Sequence, residues 1–568
     1  RAPVQPFASV LAPMLKAYPE LTEDDLPLSA PPNLTLGDVA VPMFLAAKKR
    51  GTAPVVFAKE VAASVAFGPE VISVAAAGPY LNLKLDRPAF AKSIVAAVLA
   101  DGDRYGSNRS GRGMRALIEH TSINPNASPH VGRARNAMIG DALARLFRFE
   151  GYDVEVHYYV NDMGRQIGLL VLIADEIEDL SFDAILDAYV RANARAKEDA
   201  AFAEQGYALL AEMEEGDPDA QARFRRITDL CLQGQLAVLA RLGATYDVFD
   251  RESEYLKDPR LDVVLDALRA RGALFTDDEA RLVVDLAKLG HTAEEGRYFV
   301  LMRANGSSMY GYRDLAYTID KGEMGADVNL IVLGEDHKLY AQQLAMILET
   351  AGHKAPEAVY YSYILLKEGK MSTRQGNVVL LSDFLDQAAA LAGERVAEQC
   401  HDITPEEQQT IAEQVAVAAI RFAVLRVNAN KNVIFDMDAA LSFQGDTGPY
   451  VQYSCARINS ILRKHGRPLP DAPGAAFPLA ADAEWALLTR MAAFPGVVDT
   501  ALRQRTCAPI AGFALDFARA FTTFYHECPV LQAGDPALVE ARLLLCRAAL
   551  QTLRNALHVL GIEAPERM

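Results

Sequence analysis

His130, Gly132 and Arg133 fall within four residues, His130-Val131-Gly132-Arg133, where a polar loop gives way to an amphipathic helix. The first backbone N–H groups of a helix lack partners within it and point outward, where they favour an anion such as a phosphate. An imidazole can donate to a phosphate oxygen, and a glycine lets a ligand approach the backbone closely. A guanidinium adds a permanent fork of donors suited to phosphate. A second pair, Asp336 and His337, follows the apolar run Val328 to Leu333. As a strand of an open α/β sheet, that run would put the pair at its carboxyl end, where such sheets bind ligands.

The elements that must hold these residues are legible around them. Arg115 to Ile118 is a short apolar run, broken by a loop of Ser, Asn and Pro. Ala137, Ile139, Leu143, Leu146 and Phe147 then recur at helical spacing, and an alternating run follows from Tyr152 to Val160. Strand, loop, helix and strand make a βαβ unit, which predicts a parallel, nucleotide-type sheet. Helices are expected over Gly37–Gly51, Pro54–Phe67 and Lys338–Ala351, with a hairpin over Val71–Leu85 turning at Gly78-Pro79. The sheet is expected to resume near Tyr298, and Ala358–Leu366 reads as one strand. Beyond Ser382 the pattern is predominantly helical, with a Pro-rich loop from Arg467 to Pro478.

A chain of 568 residues predicts three or four domains. Hydrophobic content of 51% with 23% charged residues is ordinary for a globular protein. No apolar run reaches the roughly 18 to 20 residues of a membrane helix, and no signal peptide is read at the start. The six cysteines are scattered without a C-x-x-C pair, which argues against a zinc site or a disulfide framework and fits a reducing cytoplasm. A net charge of −17 does not exclude a nucleic-acid partner, because binding depends on local Lys/Arg faces. One such face is the helix from Gly448, with Tyr450 and Tyr453 at its start and Arg457, Arg463 and Lys464 along it. Aromatics can stack unpaired bases there while cations hold phosphates.

His130 to Arg133 resembles the HIGH signature of class I aminoacyl-tRNA synthetases, with its last His replaced by Arg133. Far downstream, LKEGKMSTRQGNVV (Leu366 to Val379) resembles their second signature, KMSKS, with its second Lys replaced by Thr373. With SINPN before the first and YVNDMG after it, the pattern is similar to the arginyl-tRNA synthetases from about Gly37 to Met568. The resemblance implies an α/β fold: a split Rossmann catalytic core with a helical insertion, an N-terminal α/β module and a C-terminal α-helical anticodon-binding bundle. The expected divisions are 1–105, 106–385 with the insertion at about 168–297, a connecting segment 386–435, and 436–568.

It also implies ligation of L-arginine to tRNA(Arg) with ATP as substrate and Mg²⁺ accompanying it, by a cytoplasmic monomer holding no structural metal. His130, Gly132, Arg133, His337, Lys370 and Ser372 are then expected on ATP, with Arg374, Lys370 or Lys367 supplying the missing lysine's charge. Glu119 and Asn124 would hold the ammonium and carboxylate end of arginine. Asp314, with Tyr310 on the same helix face and Asp336 nearby, would meet the guanidinium. The competing reading of Asp314 is a helix salt bridge with Arg313 or Lys321. The closing residues to Met568 resemble the last helices of the anticodon bundle, which places Met568 with Tyr450, Tyr453, Arg457 and Lys464 among the tRNA contacts. A glutamyl or class I lysyl enzyme, an RNA-binding paralogue without catalysis, and a nucleotidyltransferase acting without RNA remain alternatives.

Overall fold

The computed structural model describes residues 7–126, 128–178, 180–367 and 379–568. At its centre five parallel strands lie in the order Glu357–Tyr361, Val328–Gly334, Arg115–Glu119, Asp153–Val160 and Val248–Arg251. Ala116, Leu117, Ile118, Val156, Val160, Leu330 and Val332 are all buried, as a parallel sheet covered on both faces requires. The first strand in the chain is the middle one. The chain winds outward from it in both directions, which leaves a topological switch point between Arg115–Glu119 and Val328–Gly334.

Helix Val131–Phe149 makes the expected crossover from the first strand to the second. It approaches the end of the first strand closely because position 140 has no side chain. A Cβ on Gly140 would sit 2.1 Å from the ring of His120. In the insertion, helices Phe182–Glu198, Ala200–Glu215 and Pro218–Arg241 follow one another, the last two separated by Gly216 and Asp217. Six long helices, beginning at Leu381, Pro405, Gly448, Asp482, Ala508 and Pro536, carry most of the chain beyond the sheet.

The structure departs from the sequence pattern at four places. Residues 37–51 are not one helix: Val39–Pro42 is a strand paired antiparallel with Tyr80–Leu85, and only Phe44–Arg50 is helical. The hairpin needs that partner, and Pro42 stops any helix from reaching back across it. Tyr298–Met302 does not rejoin the parallel sheet but closes a separate antiparallel sheet with Leu274–Thr276 and Leu282–Asp285. Within the stretch expected as insertion, Val248–Arg251 supplies the parallel sheet's edge strand. Residues 358–366 break after Tyr361, and Ile364–Leu366 pairs instead with Val433–Phe435.

The N-terminal module packs on the C-terminal helices. Arg87 bridges buried Asp38 at 2.8 Å to Asp482 at 2.8 Å, and its guanidinium lies 5.5 Å from the Trp485 ring centre. Five cysteines are buried and Cys400 is half-buried, all as free thiols. Burial pushes the thiols of Cys231, Cys455, Cys507 and Cys546 up to about 12. No helix among the described residues is long and apolar enough to cross a membrane.

Candidate active site

His130 is the residue just outside the N-terminus of helix Val131–Phe149, with an extended backbone, and the helix's first turn holds no acidic side chain. Partial burial and the neighbouring charge of Arg133 lower its pKa, so the imidazole is neutral at pH 7 and free to donate one hydrogen bond. Gly132 gives that ring its room, since a Cβ there would come within 3.0 Å of it. The far flank of the second signature returns to the same place. Val131 N–H donates to Val379 O at 3.0 Å, and Leu381 N–H donates to Pro129 O at 2.8 Å. Lys370, Ser372 and Arg374 lie outside the described residues. Lys367 forms an ion pair with Asp436 at 2.7 Å, which ties up the most upstream of the three cations expected to stand in for the missing lysine.

Acidic side chains crowd the switch point. Glu119 ends the first strand, is buried, and forms an ion pair with the equally buried Lys321. Glu252 pairs with Arg313 at 2.7 Å, and burial still pushes its carboxyl up to about 7. Asp250 accepts from His157 Nδ1 at 2.7 Å and from the Tyr317 hydroxyl at 3.1 Å. Asp314 differs from all three. The Tyr340 hydroxyl donates to it at 2.5 Å, the Tyr159 hydroxyl also lowers its carboxyl, and no cation among the described residues pairs with it. Burial and the charge of Glu119 raise its carboxyl to about 6, against the opposing pull of the Tyr340 bond. The helix salt bridge that competed for Asp314 is absent, because Arg313 and Lys321 are spent on Glu252 and Glu119.

Aromatic rings wall this acid cluster. Tyr159 stacks on Tyr317 at 4.3 Å, and Tyr340 lies 5.4 Å from Tyr310, whose side chain is 56% exposed at the rim. Asn124 is exposed, its amide oxygen accepting from Asn161 at 2.9 Å. It follows Thr121 and Ser122, which both hold positive φ, a strained conformation for residues with side chains. Asp336 and His337 sit on a short turn after Val328–Gly334, both well exposed and 3.7 Å apart. The resemblance thus points to Glu119, Asp314, Tyr310 and Asp336 at this sheet end; Arg313 and Lys321 entered only as rival partners of Asp314, and Tyr340 and Glu252 were missed. Lys321 lies two helical turns after Asp314 on the same helix face, but nothing local shows that it pairs with Glu119 instead.

The helix expected to face RNA spans Gly448–His465. The guanidinium of Arg457 lies between the rings of Tyr453 and Tyr525, at 5.0 and 4.7 Å. Lys464 is exposed, whereas the Tyr450 hydroxyl is turned to Thr522 at 3.0 Å. Met568 is half-buried against the apolar cluster that includes Ile411 and Val415. Among the described residues no group of His, Cys, Asp and Glu could hold a metal ion.

Comparison with known proteins agrees with this layout. Residues 94–437 match the family model for the class I (R) tRNA synthetase catalytic domain, 451–568 the DALR anticodon binding domain, and 6–85 the arginyl tRNA synthetase N terminal domain. The arginine–tRNA ligase of Methanothermobacter thermautotrophicus is 36% identical, covering 96% of this chain and 95% of its own. That of Methanosarcina barkeri is 37% identical over 88% of each. The Thermus thermophilus arginyl-tRNA synthetase structure superposes with a TM-score of 0.75 at 27% identity, covering 99% of both chains. A parallel sheet with its switch point lined by acids, a glycine-bearing helix start and a C-terminal helical domain meet here in a chain that belongs to the arginyl-tRNA synthetase family.

Proposed function

We propose that this arginine–tRNA ligase holds the guanidinium of its substrate on Asp314. The observation that carries the reading is the missing cation. Among the described residues each neighbouring buried acid has a cation or an imidazole as partner, whereas Asp314 has tyrosine hydroxyls and no cation. A half-buried, desolvated carboxylate without a counter-ion is costly, and a ligand guanidinium with five donors relieves that cost. Tyr310 and Tyr340 flank the aliphatic stem. Glu119 enters the site already neutralised by Lys321, so its role toward the α-ammonium is through its remaining oxygen, with Asn124 beside it and Asp336 at the rim.

ATP, with its Mg²⁺ as part of the nucleotide substrate, lies along the N-terminus of helix Val131–Phe149. His130 donates to phosphate there, Arg133 neutralises charge, and His337 approaches from the adjacent strand end. Lys370, Ser372 and Arg374 act on the departing pyrophosphate. The arginine carboxylate attacks the α-phosphorus and expels pyrophosphate. The 2′-hydroxyl of the terminal adenosine of tRNA(Arg) then takes the arginyl group and releases AMP. Positioning and charge neutralisation supply the acceleration. Arg457, Tyr453, Tyr450, Lys464 and the Met568 end form the anticodon-side surface, and the working form is a cytoplasmic monomer.

The test is aminoacylation of total tRNA offered each of the twenty amino acids in turn. Arginine alone should be charged. Efficient charging of glutamate or lysine would overturn the pocket assignment.

A further inference from the structure

Two residues beyond Arg133, Arg135 is completely buried, yet no carboxylate among the described residues pairs with it. Its two terminal nitrogens are spent on backbone carbonyls, while its buried Nε has no partner among the described residues. One terminal nitrogen donates to Ser362, Tyr363 and Lys431, the other to Asn428 at 3.2 Å. Burial pushes it down to about 10, which leaves it charged at pH 7. An ion buried without a counter-ion is an expensive way to pack a core, so its geometry calls for a use. The carbonyls it takes belong to one ribbon. Ser362 N–H donates to Ala429 O at 2.8 Å, Ile364–Leu366 pairs with Val433–Phe435, and Lys367 is tied to Asp436. Arg135 is the cation that joins this ribbon to the helix carrying His130 and Arg133. On its other side the same helix start is bonded to Val379 and Leu381.

We propose that Arg135 is a positioning residue for the phosphate chemistry: it holds Ser362–Lys367, which runs into the second signature, in register with the first. The break after Tyr361 follows from it, because the carbonyls of Ser362 and Tyr363 point to a side chain rather than continuing the parallel sheet. This rests on the reading of His130 and Arg133 as phosphate contacts.

The experiment is pyrophosphate exchange in the presence of tRNA, with thermal melts, on Arg135→Lys. Lysine keeps the charge but not the planar fork that spans two segments. The kcat for exchange should fall by roughly 10- to 100-fold, as expected for reacting groups misplaced by about 1 Å, with the arginine KM within about twofold. An unchanged kcat beside a lowered Tm would reduce Arg135 to packing, and an arginine KM rising as far as kcat falls would place its effect in the amino-acid pocket. Should Arg135→Lys not fold, Asp436→Asn cuts the exposed tie at the far end of the ribbon. A smaller drop, again in kcat, is expected, and a wild-type kcat there overturns the proposal. Arg133→Ala run alongside separates the two readings: an undiminished exchange rate in that variant removes the phosphate assignment, while the Arg135 tie stands or falls on its own variants.

Discussion

Arginine side chains and an arginine substrate meet this protein in two contrasting settings. In the C-terminal helices, half-buried Arg457 lies against the rings of Tyr453 and Tyr525, the latter exposed to water. At the switch point, half-buried Asp314 accepts from the Tyr340 hydroxyl, and no cation among the described residues pairs with it. An exposed cation–π contact is worth about 0.5–1 kcal/mol, because water screens it. A desolvated, half-buried carboxylate is worth more than that to whatever neutralises it, because part of the desolvation has already been imposed by the fold. The contrast shows where selectivity for a guanidinium can be built. It needs one acid left deliberately without a partner inside a set whose other members are satisfied.

The comparison can be broken most forcefully at a satisfied member. Lys321→Met leaves Glu119 buried and unpaired, and urea unfolding should show a loss of ~3–5 kcal/mol. A loss under about 1 kcal/mol would mean that the pair is not buried in solution. Asp314→Asn, by contrast, should leave stability intact at pH 7 or raise it, while the arginine KM rises by roughly one and a half to three decades, from ~2–5 kcal/mol at about 1.4 kcal/mol per decade. An arginine KM within about twofold of wild type would move the guanidinium site elsewhere.

The same residue sharpens the contrast through pH. Its carboxyl, raised to about 6, must ionise to meet a guanidinium as proposed. The arginine KM should therefore climb by about tenfold per pH unit below 6 and level off above it, a dependence that Asp314→Asn removes. Stability carries the opposite sign. The folded protein keeps a proton that the unfolded chain sheds near 4, so this contribution is present at low pH and lost as pH rises through about 6. Urea midpoints for wild type and Asp314→Asn should converge below pH 4 and separate above 6. The smallest effect belongs to the exposed end. Arg457→Ala should flatten the salt dependence of tRNA binding by about one unit of slope, with stability changed by less than about 1 kcal/mol. An unchanged slope would take Arg457 off the RNA surface.

Much of this was readable in the residues themselves. The βαβ unit around His130 is plain because a short apolar strand, a polar loop and an amphipathic helix each follow local rules. Glu119 and Asp314 were found through motif likeness, but their difference was not, since pairing depends on which cation the tertiary fold delivers. Arg313 sits beside Asp314 in the chain yet serves Glu252. The strand at Val39–Pro42 and the break at Ser362-Tyr363 were missed for a related reason. Both are set by a distant partner, the Tyr80–Leu85 strand in one case and Arg135 in the other, that no local window contains.

The buried cysteines have a practical corollary. At neutral pH a thiol held near 12 and packed in a core presents almost no thiolate to an electrophile. A maleimide dye added to the folded wild-type chain should therefore attach at Cys400, just past the helix Leu381–Gln399 that follows the second signature. The sequence thus carries its own single-site attachment point for a fluorophore, at the far end of the helix that follows the second signature, with no cysteine to be engineered in or out.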